Sequence, residues 1–165
     1  MWQLFLDYAT IIAGLAAAAS VFYLAKQIKV TIEQEKVNRS HDFIKRFNDP
    51  TFGKMLADAI LFLKSLQEEV KVKEFLEKRH ENPTWIKMYQ TIGICLNFFE
   101  EMGELYNRGL LYEELIDDFF SGGSIFYYEK AENYIKLRTE QTGRNHLFKE
   151  WQIMNQIFKK KNLIH

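Results

Sequence analysis

The chain has 165 residues, with 22 basic and 22 acidic side chains, two prolines, eight glycines and one cysteine, a length suited to one domain or one domain with an appendage. Balanced charge together with 14 Phe, 8 Tyr and 3 Trp argues against a disordered tail or a strongly basic nucleic-acid binder, and the lone Cys95 excludes an internal disulfide or a cysteine zinc site. So few turn-forming residues disfavour a many-stranded sheet and point to an all-α chain.

From Tyr8 to Ala25 no side chain carries a charge. A helix needs about 20 apolar residues to cross a hydrocarbon core of about 30 Å, and residues 4 to 25 supply them if Asp7 sits at headgroup level. Trp2 and Tyr23 then fall at the two interfaces. A cleaved signal peptide competes, because AAAAS resembles a small-residue cleavage site, although the basic region that precedes such a site is missing. A buried core helix also competes, since alanines weaken insertion. The C-terminal flank carries Lys26, Lys29, Lys36, Arg39, Lys45 and Arg46 against Asp7 alone on the other side, which predicts a single-pass protein whose body is cytoplasmic. Cys95 is then expected as a free, buried thiol.

Side chains in this span are small. Ala9, Ala13 and Ala17 form one small-xxx-small series, and Gly14 with Ala18 another. Close approach through such residues lets helices associate in lipid, where no hydrophobic drive brings them together. Asp7, Thr10, Gly14, Ala17 and Val21 share a stripe that, with Ala13, forms the expected helix-packing or pore face, Asp7 making a ring of carboxylates at the outer mouth. The simpler alternative makes Asp7 an interfacial residue and the alanines tolerant of any neighbour.

No Pro or Gly interrupts residues 26–48, so the span is predicted to continue as a helical neck, one helix from about 4 to 47 some 65 Å long. The expected division is a transmembrane segment over 1–25, a helical neck over 26–48 and a cytoplasmic helical bundle over 49–165. Asp49 reads as an N-cap with Pro50 at the first helical position, followed by Phe52, Leu56, Ile60, Leu63 and Leu66 on one face. A weaker helix within VKVKEFLEKRHEN ends at Asn82-Pro83, and Thr84 is the expected cap of the next, which carries Trp85, Tyr89, Ile92, Leu96, Phe99 and Tyr106 and stops at Arg108-Gly109. Ser121-Gly122-Gly123 reads as a loop separating a helix over about 111–120 from one over 125–140. A last helix is expected over 145–160.

Chemical signatures are sparse. The chain contains no GxGxxG, GxxxxGK[ST] or HExxH motif, and none of His41, His80, His146 and His165 has an arginine five to seven positions before it, as a helical RNase motif requires. No catalytic residue, metal site or cofactor is expected. Asn97 and Glu100 do interrupt the apolar stretch around Leu96, Phe98 and Phe99. Spaced three apart, they point to one side of a helix, and a buried polar network is expected in which Arg138 or Arg108 donates to the Glu100 carboxylate.

The segments YATIIAG, LAKQIK, FIKRFNDPTF, LNFFEEMGELYNRGLLYEELIDDFF and YYEKAENYIKLRTEQTG resemble a widespread bacterial family of unknown function with one N-terminal membrane helix and a small helical domain. The resemblance covers most of the chain, with Asn97, Glu100, Gly109 and Arg138 as its motif positions; Tyr128 stands where the family tends to have Trp. The layout is also similar to the membrane accessory proteins of type VI-B CRISPR loci. That similarity implies residence in a bacterial inner membrane, homo-oligomeric pore assembly, and support of an RNA-guided RNase in antiviral defence. The divergent RNase motif described for those proteins has no recognisable copy here.

Charge is also unevenly distributed: residues 26–47 carry a net +3, residues 48–135 a net −7 and residues 136–165 a net +5. Opposed blocks suit head-to-tail contact between copies of the chain. Membrane lipid and further copies of the chain are the expected partners, direct nucleic-acid binding is not expected, and the resemblance implies an RNA-guided RNase as a functional partner. Two functions compete: a self-assembling membrane pore, and a membrane-tethered scaffold that recruits a cytoplasmic partner without pore activity.

Overall fold

The computed structural model describes residues 2–66 and 68–162, with backbone alone for 3–11 and 13. Those residues fold into six helices and no strand: α1 (Trp2–Phe47), α2 (Pro50–Ser65), α3 (Glu69–Lys78), α4 (Pro83–Asn107), α5 (Glu113–Thr142) and α6 (Lys149–Asn162). The chain divides into two units, residues 1–38 and 39–165.

The first unit is a single helical segment whose described side chains are almost all exposed, among them Leu15, Val21, Phe22, Leu24, Ile28 and Ile32. Among the described residues one helix, Gly14–Phe47, is by length and composition long and apolar enough to cross a membrane.

The second unit starts inside the last turns of α1, where Ser40 and Phe43 are buried. Phe47 sits among the rings of Phe52, Phe98, Phe99, Phe120 and Tyr127 at centroid distances of 5.2 to 6.5 Å. α1 ends there, and a new helix starts at once because Asp49 caps α2. Its carboxylate accepts from the amides of Thr51 and Phe52 at 2.8 and 3.1 Å, and Pro50 occupies the first helical position, where a missing N–H costs nothing. The same device recurs at α4, but the cap is Asn82, not Thr84 as expected: the Asn82 side chain accepts from the Thr84 amide at 2.8 Å, with Pro83 at the first position. Gly109, at φ 65°, ends α4 in the left-handed conformation that glycine adopts without strain.

Ser121-Gly122-Gly123 is helix, contrary to the loop read from the sequence. α5 runs unbroken for 30 residues because the inward face continues through the glycines: Ile116, Phe120, Ser124 and Ala131 are all buried, whereas Gly122 and Gly123 face outward. Burial of that stripe outweighs the helix cost of about 1 kcal/mol per glycine. α6 in turn begins at Lys149 rather than 145, since Gly143 and Phe148 both have positive φ and hold residues 143–148 as turns.

The core centres on α4, which packs against α2 and α6. Trp151 of α6 is fully buried and stacks on Phe99 at 4.7 Å and 10°. Its indole N–H donates to Ser124 Oγ at 2.7 Å, and Ser124 donates to Asn155 Oδ1 at 2.7 Å. This buried chain joins α5 to α6.

Candidate functional site

Two regions hold the residues singled out from the sequence. In the first unit, Gly14, Ala17 and Val21 lie exposed on α1, and nothing lies within 4 Å of a Cβ placed on Gly14. Asp7, Thr10 and Ala13 fall outside the described side chains. Around the same helix Phe22 is 77% and Val21 68% exposed, so apolar surface faces outward in more than one direction. A helix of this kind is stable in an apolar surrounding and costly in water. Ser20 follows the same logic, its hydroxyl donating to the Ala16 carbonyl at 2.8 Å so that its polarity is met within the helix.

In the second unit, the expected network of Asn97, Glu100 and Arg138 is divided. Glu100 does not meet an arginine. It accepts from the backbone amides of Trp151 at 2.9 Å and Glu150 at 3.2 Å, the unpaired donors of the first turn of α6. Burial pushes the Glu100 carboxyl above its ordinary range, with those two amides acting in the opposite direction. One turn on, Gly103 lets the backbones of α4 and α6 meet: a Cβ there would stand 2.7 Å from the Glu150 carbonyl and the Trp151 nitrogen. Another turn on, Asn107 Nδ2 donates to the Glu150 carbonyl at 2.9 Å and carboxylate at 2.8 Å. Glu100, Gly103 and Asn107 together make a saddle that seats the start of α6. Arg108, the alternative donor, pairs with Glu104 at 2.8 Å.

Asn97 and Arg138 do come together, but around a different space. Both line an open groove of about 510 Å³ between α4, α5 and the 143–148 turns, and Glu100 is not among its lining residues. Arg138 donates to the neutral Gln141 side chain at 3.0 Å and lies 5.1 Å from the centre of the Tyr89 ring. Arg79 approaches the same ring at 4.7 Å, and its buried Nε has no partner among the described residues. Asn97 itself is exposed. The difference from expectation is angular: three residues along a helix is about 60° of rotation, enough to place Asn97 in the groove and Glu100 beneath α6.

Sequence reasoning missed Gly103 and Asn107, whose spacing of three and seven from Glu100 is the usable signal, and also Tyr89 and Arg79. Among the described residues no group of three His, Cys, Asp or Glu side chains is placed to hold a metal ion. Cys95 is free and buried as expected, and burial lifts its thiol pKa to about 11. The lysines at the end of α6 are partly engaged: Lys159 pairs with Glu129 at 2.9 Å, and Lys161 meets Asp117, Glu113 and the Tyr106 hydroxyl.

A family model described as a domain of unknown function, DUF4760, matches residues 10–156. The chain belongs to the DUF4760 family. That match takes in most of the apolar helix as well as the bundle, so both belong to the DUF4760 unit. No curated protein and no solved structure matches the chain.

Proposed function

We propose that this DUF4760 protein is a single-pass protein of a bacterial inner membrane whose helical domain lies in the cytoplasm, and that it self-assembles through its span into an oligomeric pore. In this reading it catalyses no reaction and acts as an accessory in antiviral defence, its functional partner an RNA-guided RNase. The observation that carries the membrane part is the exposed apolar surface of α1 from Gly14 to Ile32, with Gly14, Ala17 and Ala18 leaving room for a neighbouring helix. The defence role rests on the resemblance to type VI-B CRISPR accessory proteins. The mass of the detergent-solubilised particle tests assembly, and membrane depolarisation on expression with the RNase tests the pore. A monomer in detergent and in native-membrane crosslinking defeats the proposal.

One observation favours the scaffold reading. Between Gly14 and Leu24 the only hydroxyl apart from Tyr23 is that of Ser20, and it is turned to the Ala16 carbonyl, so this stretch offers little to a hydrated lumen. A span acting only as a tether keeps full function when residues 8–25 are replaced by polyleucine and depolarises nothing. A pore loses conductance on the same replacement.

A further inference from the structure

The groove shared by Asn97 and Arg138 has a one-sided charge. Arg138 and Arg144 both line it, and no aspartate or glutamate does. Among the described residues the Arg144 side chain makes no ion pair or hydrogen bond, and the Arg138 guanidinium bonds only the neutral Gln141. Arg138 and Arg79 both stand within about 5 Å of the Tyr89 ring centre, so two guanidinium groups converge on one ring from α5 and from the turn after α3. Arg79 does not line the groove, but Arg138 and Arg144 do, and positive charge in a groove without a carboxylate attracts an anion. Guanidinium forks match the oxygens of phosphate in geometry as well as charge.

The rest of the lining is of another kind. Ile94, which is 52% exposed, stands on the α4 side, and Leu147 and Phe148 face it from the turns before α6. Phe148 is held there at φ 56°, a left-handed conformation uncommon outside glycine. Asn97, Gln90 and Thr142 add neutral hydrogen-bonding groups. An inorganic anion would leave the apolar wall wet. A volume of about 510 Å³ lies within the ordinary range for small-molecule sites.

We infer that this groove binds a small organic phosphate, its phosphate held by Arg138 and Arg144 and its organic part set against Ile94, Leu147 and Phe148. The site is independent of the membrane span and of any pore. Calorimetric titration of the full chain in detergent with AMP and with ribose 5-phosphate tests it, with inorganic phosphate and adenosine as partial ligands. AMP binds at least tenfold more tightly than either partial ligand. Arg144→Gln, at an exposed turn position where folding is not at stake, weakens AMP about tenfold, as expected for loss of one charge-assisted contact. Arg138→Gln does the same or more, and Arg138→Lys fails to restore binding because a point charge replaces a fork. Lys54→Gln, outside the groove, leaves binding unchanged. Absence of binding by both organic phosphates at millimolar concentration overturns the inference, as does equal AMP affinity in wild type and Arg144→Gln. Inorganic phosphate binding as tightly as AMP removes the organic part. Displacement of AMP by phosphatidylglycerol vesicles but not by ribose 5-phosphate reassigns the site to lipid headgroups and likewise refutes it.

Discussion

Replacing Gly103 by alanine adds a single methyl group where two helix backbones cross. That Cβ would stand 2.7 Å from the carbonyl carbon and oxygen of Glu150 and from the nitrogen of Trp151, and none of these atoms belongs to a flexible side-chain tip. α6 must therefore move away from α4. Overpacking of this sort costs about 1–3 kcal/mol, and the same displacement stretches the hydrogen bonds from Trp151 N to Glu100 and from Asn107 to the Glu150 carbonyl, now both 2.9 Å, with a charge-assisted bond worth about 1.5–3 kcal/mol. Alanine returns about 1 kcal/mol of helix propensity. The net loss is about 2–4 kcal/mol, a fall in midpoint of roughly 5–15 °C for a domain of this size. Thermal unfolding of the full chain in detergent, followed by near-ultraviolet circular dichroism from the Trp151–Phe99 stack, reads it. Gly122→Ala is the matched control, because nothing lies within 4 Å of its added Cβ; it should leave stability unchanged or raise it by about 0.5–1 kcal/mol. Equal stability of Gly103→Ala and wild type would refute the close-approach argument.

Ser124→Ala removes the oxygen that receives the Trp151 indole N–H and the donor to Asn155; with both partners left buried and unpaired, urea unfolding should show a loss of about 1–3 kcal/mol. Asp49→Ala removes the α2 cap. Hydrogen bonds from the amides of Phe52 and Thr51 hold the Asp49 carboxyl below its ordinary range, so its contribution is present above the unfolded value and fades as pH falls through the lower, folded one. The wild-type advantage over Asp49→Ala should thus be full at neutral pH and shrink in acid; an advantage that grows on acidification contradicts the cap. Cys95, buried with its thiol pushed up to about 11, should react with a maleimide at pH 7 only after unfolding in urea, and fast labelling of the native chain would place it elsewhere.

Local punctuation made much of the fold readable. Asp49-Pro50 and Gly109 carry their message within three residues, and each marks a helix end in the structure, whereas Asn82-Pro83, read as the end of α3, opens α4, and α3 already stops at Lys78. Ser121-Gly122-Gly123 misled for the opposite reason: its local preference for a turn is overruled by a stripe whose partners, Trp151 and Asn155, lie about thirty residues away. The saddle was hidden in the same way. Nothing near Glu100 announces that its ligands are the bare amides of residues 150 and 151, and a carboxylate in an apolar run invites the search for an arginine that Glu100 does not meet. Asn97 and Arg138 line one groove without a bond between them, and the rotation between positions 97 and 100 places Glu100 outside it.

The seat of α6 has a consequence for the order in which the molecule acquires its structure. Phe148, the residue before the helix, has no side-chain group able to accept from an amide, and the acceptor comes from Glu100, fifty residues earlier. A helix of 14 residues is marginal alone in water, and without a cap of its own it has even less reason to form before α4 is in place. Its appearance and its docking are therefore one event. The amide hydrogens of Glu150 and Trp151, normally among the first of a helix to exchange with solvent, should instead exchange only when the whole bundle opens, and a chain severed between α5 and α6 should release its last segment unfolded rather than as a free helix.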